Sequence, residues 1–396
     1  MTDDHAPDPV SYNALKTAEP TLPFAWYHDP AHHAREMAAI WQRAWIYVCR
    51  AGALEPLDYR TVKIGSQNVV ILRDAGGTMR AYHNACRHRG SILCTKANGR
   101  LGSRLLVCPY HQWSYAADNG RLVATTSFTE PDGFDRAALG LFPVALAVWR
   151  GCVLVNLDPD AAFDPATDFQ RPPDNLVHFP LEDMVTGHHW HSEIACNWKT
   201  FWENFNECLH CPNVHPELVQ LVPMFSRRII HPHDVPDWPD HAARDDPKYR
   251  GGMKTGAQTW ATDHSAQGRV ISTLNPDDLA RGHTYASAWP TFFIAGYPDH
   301  VRIVHLMPLG PERLRLSAEW LFPAETFADP SYDPQKVIDF AVLVMEQDAR
   351  ACELNQQGMH AAPLMQGVLM PEEYVLKRFQ DWVRVRLDAV GAPGHD

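Results

Sequence analysis

Two short fragments, Cys86-Arg87-His88 and Cys108-Pro109-Tyr110-His111, constrain this chain more than any other feature. A thiolate and an imidazole one or two residues apart must project from a tight turn if both are to reach one metal centre. Two such turns supply four ligands. That donor set suits a structural zinc site or an iron–sulfur centre in which imidazoles replace two cysteines. Coincidence is the third reading, and the turn-like context of both fragments counts against it. From about 47 to 156 the surrounding sequence has the texture of a small antiparallel β domain. Short apolar runs (Val69-Val70-Ile71-Leu72, Leu105-Leu106-Val107, Val153-Leu154-Val155) are separated by turn formers such as Asp74-Ala75-Gly76-Gly77 and Asp118-Asn119-Gly120.

With 396 residues the chain exceeds one small core, so two domains are expected. The Pro- and Asp-rich link Asp158-Pro159, Asp164-Pro165, Pro172-Pro173-Asp174 is the natural boundary. We therefore expect a β domain over 46–160 and a second domain over 161–396, with the segment 1–45 packing on the second. A helix is expected over 30–45, with Met37, Ile40, Trp41 and Trp45 on one side. In the second domain the pattern predicts a helix over 198–210, a long polar loop over 231–268, strands at 291–294 and 302–306, and a long helix over 334–355.

No run of 18 apolar residues exists, which argues against a membrane-spanning helix. The opening Met1-Thr2-Asp3-Asp4-His5 is acidic and polar, unlike a signal peptide, so a cytoplasmic location is expected. There the nine cysteines would stay reduced, and metal ligation explains them better than a disulfide framework. The net charge of −12 argues against nucleic acid, whose phosphates need a basic face.

A second constellation lies in Trp198-Lys199-Thr200-Phe201-Trp202-Glu203-Asn204-Phe205-Asn206-Glu207-Cys208-Leu209-His210, followed by Pro212 and His215. On a helix, Trp198, Phe201, Trp202, Phe205 and Leu209 make an apolar stripe, with Glu203, Glu207 and His210 on the adjoining face. Pro212 would stop the helix and let His215 return towards His210. Two histidines suit a non-haem Fe(II) site if a carboxylate completes one octahedral face and leaves positions open. Two histidines near a carboxylate are just as often structural. Glu346, Asp348 and Glu353 on the last long helix are the candidate acids, and each could equally be a solvated position.

Cys86-Arg87-His88-Arg89-Gly90 and Cys108-Pro109-Tyr110-His111-Gln112-Trp113 resemble the two cluster-binding loops of Rieske-type non-haem iron oxygenases. By that resemblance Cys86 and Cys108 bind one iron of a [2Fe–2S] cluster, and His88 and His111 bind the outer one. Respiratory Rieske proteins add a bridging cysteine to each loop; the matching places hold Ser91 and Tyr110, so no such bridge is expected, and Cys94 reads as a buried apolar residue. Gln112 stands where the family usually has Gly. The resemblance also selects Asp348, in its Gln347-Asp348 context, to join His210 and His215 around a mononuclear Fe(II). It implies an α+β fold: a Rieske antiparallel β domain, then a catalytic domain of curved, helix-grip-like antiparallel sheet with helices.

The same family resemblance implies a ring-shaped homo-oligomer, most simply a homotrimer. In it Glu207 would link His210 to His111 of the adjacent subunit and carry electrons between centres. Holding His210 by a hydrogen bond within one subunit is the plainer reading of Glu207, and Glu203 is a weaker candidate of that kind. No G-x-G-x-x-G follows a strand, so NAD(P)H and flavin would sit on a separate reductase. Arg87, Arg89, Lys96, Arg100 and Arg104 could form its docking face, or be scattered solvated charges. The wording around Phe201–Cys208 and Trp289–Tyr297 looks most like the branch acting on glycine betaine, proline betaine and carnitine, although Cys208-Leu209 departs from it. That implies O₂- and NAD(P)H-dependent oxidative N-demethylation: a hydroxylated N-methyl group collapses to formaldehyde and the demethylated amine. Trp260, Trp289, Phe293 and Tyr297 could line a cation–π cage for the methylammonium group, or could simply be core. An aromatic-acid hydroxylase, and a non-catalytic zinc or iron–sulfur protein, are the alternatives.

Overall fold

The computed structural model describes residues 12–389, and these fall into two compact units. One comprises residues 41–168; the other joins the residues before it, up to Ile40, to those from Phe169 onward.

The 41–168 unit is built from three small antiparallel sheets. A four-stranded sheet orders Met79–His83, Gln67–Arg73, Asp58–Ile64 and Asn98–Arg100. Its strand Gln67–Arg73 carries the expected run Val69–Leu72, every residue of which is fully buried. A three-stranded sheet joins Leu105–Val107, Ser114–Ala116 and Leu122–Ala124, and another joins Ala145–Trp149, Cys152–Asn156 and Ile46–Arg50. The turn before Leu122 needs glycine: Gly120 has φ +71° and a Cβ there would stand 2.9 Å from the Tyr82 ring. Tyr59, Val70, Leu72, Tyr82, Leu106, Tyr115 and Leu122 form the core, with Cys86, Cys94 and Cys108 inside it. Burial pushes the Cys94 thiol up to about 12, as befits a small apolar filler.

The other unit has a five-stranded antiparallel sheet ordered Val185–Ile194, Arg313–Phe322, Val301–Gly310, Phe292–Gly296 and Thr284–Ala288. The expected strands at 291–294 and 302–306 are the fourth and third of these. Helix Trp198–Phe205 contacts the Val301–Gly310 strand and the helices Gln335–Gly358 and Tyr374–Asp388. Asn197 caps it by accepting from the Lys199 N–H, and Trp198, Phe201 and Trp202 are buried beneath it. Two expected helices come out shorter. The first is Pro30–Ala39, begun by Pro30 and the Asp29 side chain, which accepts from Ala31 and His32; Trp41 lies in a separate turn. The second ends at Phe205 rather than 210, because the Glu207 carboxylate accepts from the Leu209 N–H and diverts the backbone into a turn. Pro212 does not stop that helix; it opens the short helix Cys211–Val214. The 231–268 stretch is mostly irregular, with brief turns at Trp238–His241 and Pro247–Arg250.

A buried polar layer holds the N-terminal residues onto helix Trp198–Phe205. Lys199 Nζ donates to Glu36 at 2.6 Å, Trp198 Nε1 donates to the other oxygen of Glu36 at 2.8 Å, and the Lys199–Glu36 pair is fully buried. One turn on, Glu203 Oε1 accepts from the Tyr27 hydroxyl at 2.5 Å and from Gln380 at 2.8 Å. Glu203 therefore belongs to the core rather than beside Glu207 and His210. Among the described residues, no helix is long and apolar enough to cross a membrane.

Candidate metal centres

The first set of candidate ligands sits on two loops with the same backbone plan. In each, the cysteine carbonyl accepts from the residue four positions on (Gly90 to Cys86, Gln112 to Cys108), and the cysteine N–H donates to the residue five positions on (Ser91, Trp113). Gly90 and Gln112 are both left-handed, at φ +77° and +55°. Gln112 thus takes, with a side chain, the conformation that favours glycine. These turns present Cys86 and His88 from one loop and Cys108 and His111 from the other. The His88 and His111 rings are 4.8 Å apart, and His88 stacks on Trp113 at 4.7 Å. Cys86 and Cys108 are 4% and 1% exposed, whereas His88 is exposed and His111 partly so. The donor set fits a cluster with a thiolate-held inner iron and an imidazole-held outer iron facing solvent. Burial opposes ionisation of Cys108, but hydrogen bonds from the His111 and Tyr110 backbone and from Cys86 and Ser91 bring its pKa below the usual thiol range. The Tyr115 hydroxyl lies 3.2 Å from Cys86 Sγ and accepts from the Arg87 N–H, a contact the sequence offered no way to foresee. Of the expected basic residues, Arg89, Lys96, Arg100 and Arg104 are exposed, Arg100 pairs with Asp58 at 2.9 Å, and Arg87 is half-buried over the Phe142 ring.

The second set converges from the turn after Phe205 and from helix Gln335–Gly358. His210, His215 and Asp348 offer donor atoms that all lie within 4.8 Å of one another. Asp348 Oδ1 is 2.8 Å from His215 Nε2 and 3.4 Å from His210 Nε2. The other ring nitrogen of each histidine is held by an oxygen: His210 Nδ1 donates to Glu207 at 2.5 Å, and His215 Nδ1 donates to Gln347 at 2.8 Å. Fixing the N–H on Nδ1 turns both Nε2 lone pairs towards Asp348, which is what a two-histidine, one-carboxylate metal site requires. Burial opposes charge on His210, but the Asp348 and Glu207 carboxylates outweigh it and lift its pKa to about 9. The same field favours a metal cation there. Gln347, which orients His215, is the supporting residue that sequence reasoning missed; its position beside Asp348 was the available signal. The nine cysteines make no disulfide framework, yet Cys208 and Cys211 form one disulfide on either side of Leu209 and His210.

A cavity of about 810 Å³ opens beside His210, His215 and Asp348. Trp260, Trp289 and Phe293 line it, joined by Phe201, Phe205 and Tyr285. Tyr297 does not; it is 1% exposed, stacks on His300 and sits 5.1 Å behind Trp260, ring to ring. The four expected aromatics do not close on one another as a single cage. Phe293 stacks on Phe205 at 4.1 Å, while Trp289 packs against Trp202, Phe379 and Trp382.

Residues 44–138 match the Rieske [2Fe-2S] domain, and residues 181–389 match the ring hydroxylating alpha subunit (catalytic domain). The chain is 31% identical to the glycine betaine monooxygenase oxygenase subunit of Chromohalobacter salexigens over 93% of its own length and 87% of that protein. It is 27% identical to the chloroplastic choline monooxygenase of Beta vulgaris, over 93% and 77%. Among solved structures, a quaternary ammonium Rieske monooxygenase in complex with L-carnitine has the same fold, with TM-score 0.64, 19% identity and 93% and 96% of the two chains covered. Naphthalene 1,2-dioxygenase from Rhodococcus sp. gives TM-score 0.63 at 18% identity, covering 94% and 95%. The chain therefore belongs to the Rieske-type ring-hydroxylating oxygenases, as the oxygenase subunit of a non-haem iron enzyme that carries a [2Fe–2S] cluster and a mononuclear iron.

Proposed function

We propose that this oxygenase removes an N-methyl group from a small quaternary ammonium or betaine substrate, using O₂ and electrons from NAD(P)H. The observation that carries this reading is the cavity itself. It brings the His210–His215–Asp348 cluster together with Trp260, Trp289 and Phe293 in one aromatic-walled space. An aromatic face binds a methylated ammonium through its ring quadrupole, worth about 0.5–2 kcal/mol per contact. The relatives named for glycine betaine and choline point the same way. Iron held by His210, His215 and Asp348 supplies the O₂ chemistry when bound. The chain's own residues orient its ligands, through Glu207 and Gln347, and hold the substrate against it.

Cys86, His88, Cys108 and His111 would hold the cluster, fed by a separate cytoplasmic flavin and iron–sulfur reductase. In a homotrimer, Glu207 would join His210 to the neighbouring subunit's cluster, and its contact with His210 is the half of that link within one chain. The test is a panel of methylated amines and aromatic acids given to the holoenzyme with a reductase. Formaldehyde release with matching substrate-dependent NADH oxidation is expected for one or more quaternary ammonium compounds. Consumption of an aromatic acid with no formaldehyde from any amine would replace this reading by ring hydroxylation. One feature favours that second reading, the buried guanidinium of Arg302 in the cavity wall.

A further inference from the structure

The charges lining the cavity are lopsided. Its acids are Glu207 and Asp348, both engaged with the iron-site histidines. Its cations are five arginines: Arg171, Arg250, Arg281, Arg302 and Arg378. Arg250 pairs with Asp245 at 2.8 Å and Arg281 stands 3.9 Å from Asp278. Among the described residues, Arg171, Arg302 and Arg378 have no ion pair with a carboxylate.

Arg302 projects from the third strand of the sheet and is 6% exposed. Its Nη2 donates to the Tyr297 hydroxyl at 2.9 Å, and its buried Nε has no partner. A guanidinium has five N–H donors in a planar fork that matches a carboxylate. Burying one against a single neutral acceptor is costly unless an anion completes it. Arg171 and Arg378 reach the same space from the link before the sheet and from helix Tyr374–Asp388. Desolvation by burial lowers the Arg171 pKa, against the opposing effect of Tyr285 and Tyr374, and the nearby Arg378 charge adds to the lowering. The positive field extends further: burial, then Arg171 and Arg281, hold His283 down to about 4.

We propose that Arg171, Arg302 and Arg378 form an anion-binding subsite that takes a carboxylate of the substrate. The substrate is then a carboxylated compound, such as a betaine-type zwitterion, rather than a bare cation such as choline. This rests on reading the cavity as the substrate site. About 810 Å³ lies in the upper part of the roughly 300–1,000 Å³ span of small-molecule pockets, so there is room for an aromatic-held ammonium and a separately held carboxylate.

The experiment measures binding to the holoenzyme by quenching of tryptophan fluorescence and by calorimetry, with glycine betaine, L-carnitine, choline and benzoate as probes. Arg171→Gln and Arg378→Gln are the primary variants because neither side chain is fully buried; Arg302→Lys keeps a charge at the buried position but loses the fork. At least one carboxylate-bearing probe should bind about tenfold or more tighter than choline. Each variant should weaken that probe by about tenfold to hundredfold and leave choline within about twofold. Choline binding as tightly as every carboxylate probe, equal weakening of all probes, or no binding by any carboxylate probe overturns the subsite. The two readings separate cleanly. Arginine-dependent binding of benzoate with no quaternary ammonium bound keeps the subsite and removes the N-demethylation reading. Quaternary ammonium binding that ignores the arginines does the reverse.

Discussion

Glu203→Gln should make this protein more stable above neutral pH, and the structure sets the size of the effect. Glu203 is buried among Tyr27, Gln380 and Lys199, and burial lifts its carboxyl from 4.5 to about 7 despite hydrogen bonds from Tyr27 and Gln380. The folded state therefore keeps a proton that the unfolded chain releases. The sign follows from linkage: this contribution is harmless below pH 4.5, erodes stability as pH rises from 4.5 to about 7, and levels off above that. At about 1.4 kcal/mol per pH unit the loss at pH 8 is on the order of 3 kcal/mol. Both donors reach the same oxygen, Oε1, so a glutamine amide can accept from both with its single carbonyl and carries no charge. Urea unfolding of wild type and variant at pH 4.5 and pH 8 measures the difference. The variant's advantage should appear only at pH 8 and approach about 3 kcal/mol. An equal or lower stability of the variant at pH 8 would show that Glu203 is ionised without penalty, and the argument from burial would fail.

Four further expectations concern the metal centres. Glu207→Gln should leave both metals bound while coupled turnover falls about tenfold to hundredfold, the usual cost of removing a ligand-orienting partner; undiminished turnover would remove Glu207 from the electron path. Asp348→Ala should lower iron from about three to about two atoms per chain while the brown cluster spectrum survives; loss of the colour would mean the two centres are not held independently. Gln112→Gly should stabilise the cluster loop by about 1 kcal/mol, since φ is +55° there, and destabilisation on chemical unfolding would show that the Gln112 side chain matters more than its backbone strain. If the exposed Arg89, Lys96, Arg100 and Arg104 dock an acidic reductase, electron-transfer rates should fall steeply as ionic strength passes about 0.1 M; salt-independent rates would discard that face.

The two Cys/His loops were legible because each Cys/His pair is separated by only one or two residues, and the turn that joins them is itself written in the sequence. The arginine subsite was not: its members at 171, 302 and 378 come from a link, a strand and the C-terminal helix, and only the fold brings them together. The edge strand Val185–Ile194 escaped notice because most of its inward positions, Thr186, His188, Trp190 and Ser192, are polar or aromatic rather than aliphatic. Most instructive is the pair Glu203 and Glu207. Helical periodicity places both on one face with His210, and that inference needs the helix to continue past residue 205. It does not, because the Glu207 carboxylate takes the Leu209 N–H and the chain turns. Glu203 stays on the helix and points to Tyr27, whereas Glu207 leaves it and meets His210. One carboxylate thus ends the helix and orients His210 at once. A variant that loses the Glu207 side chain should then disturb both, whereas the isosteric Gln, which keeps an oxygen for the Leu209 N–H, should disturb the histidine alone.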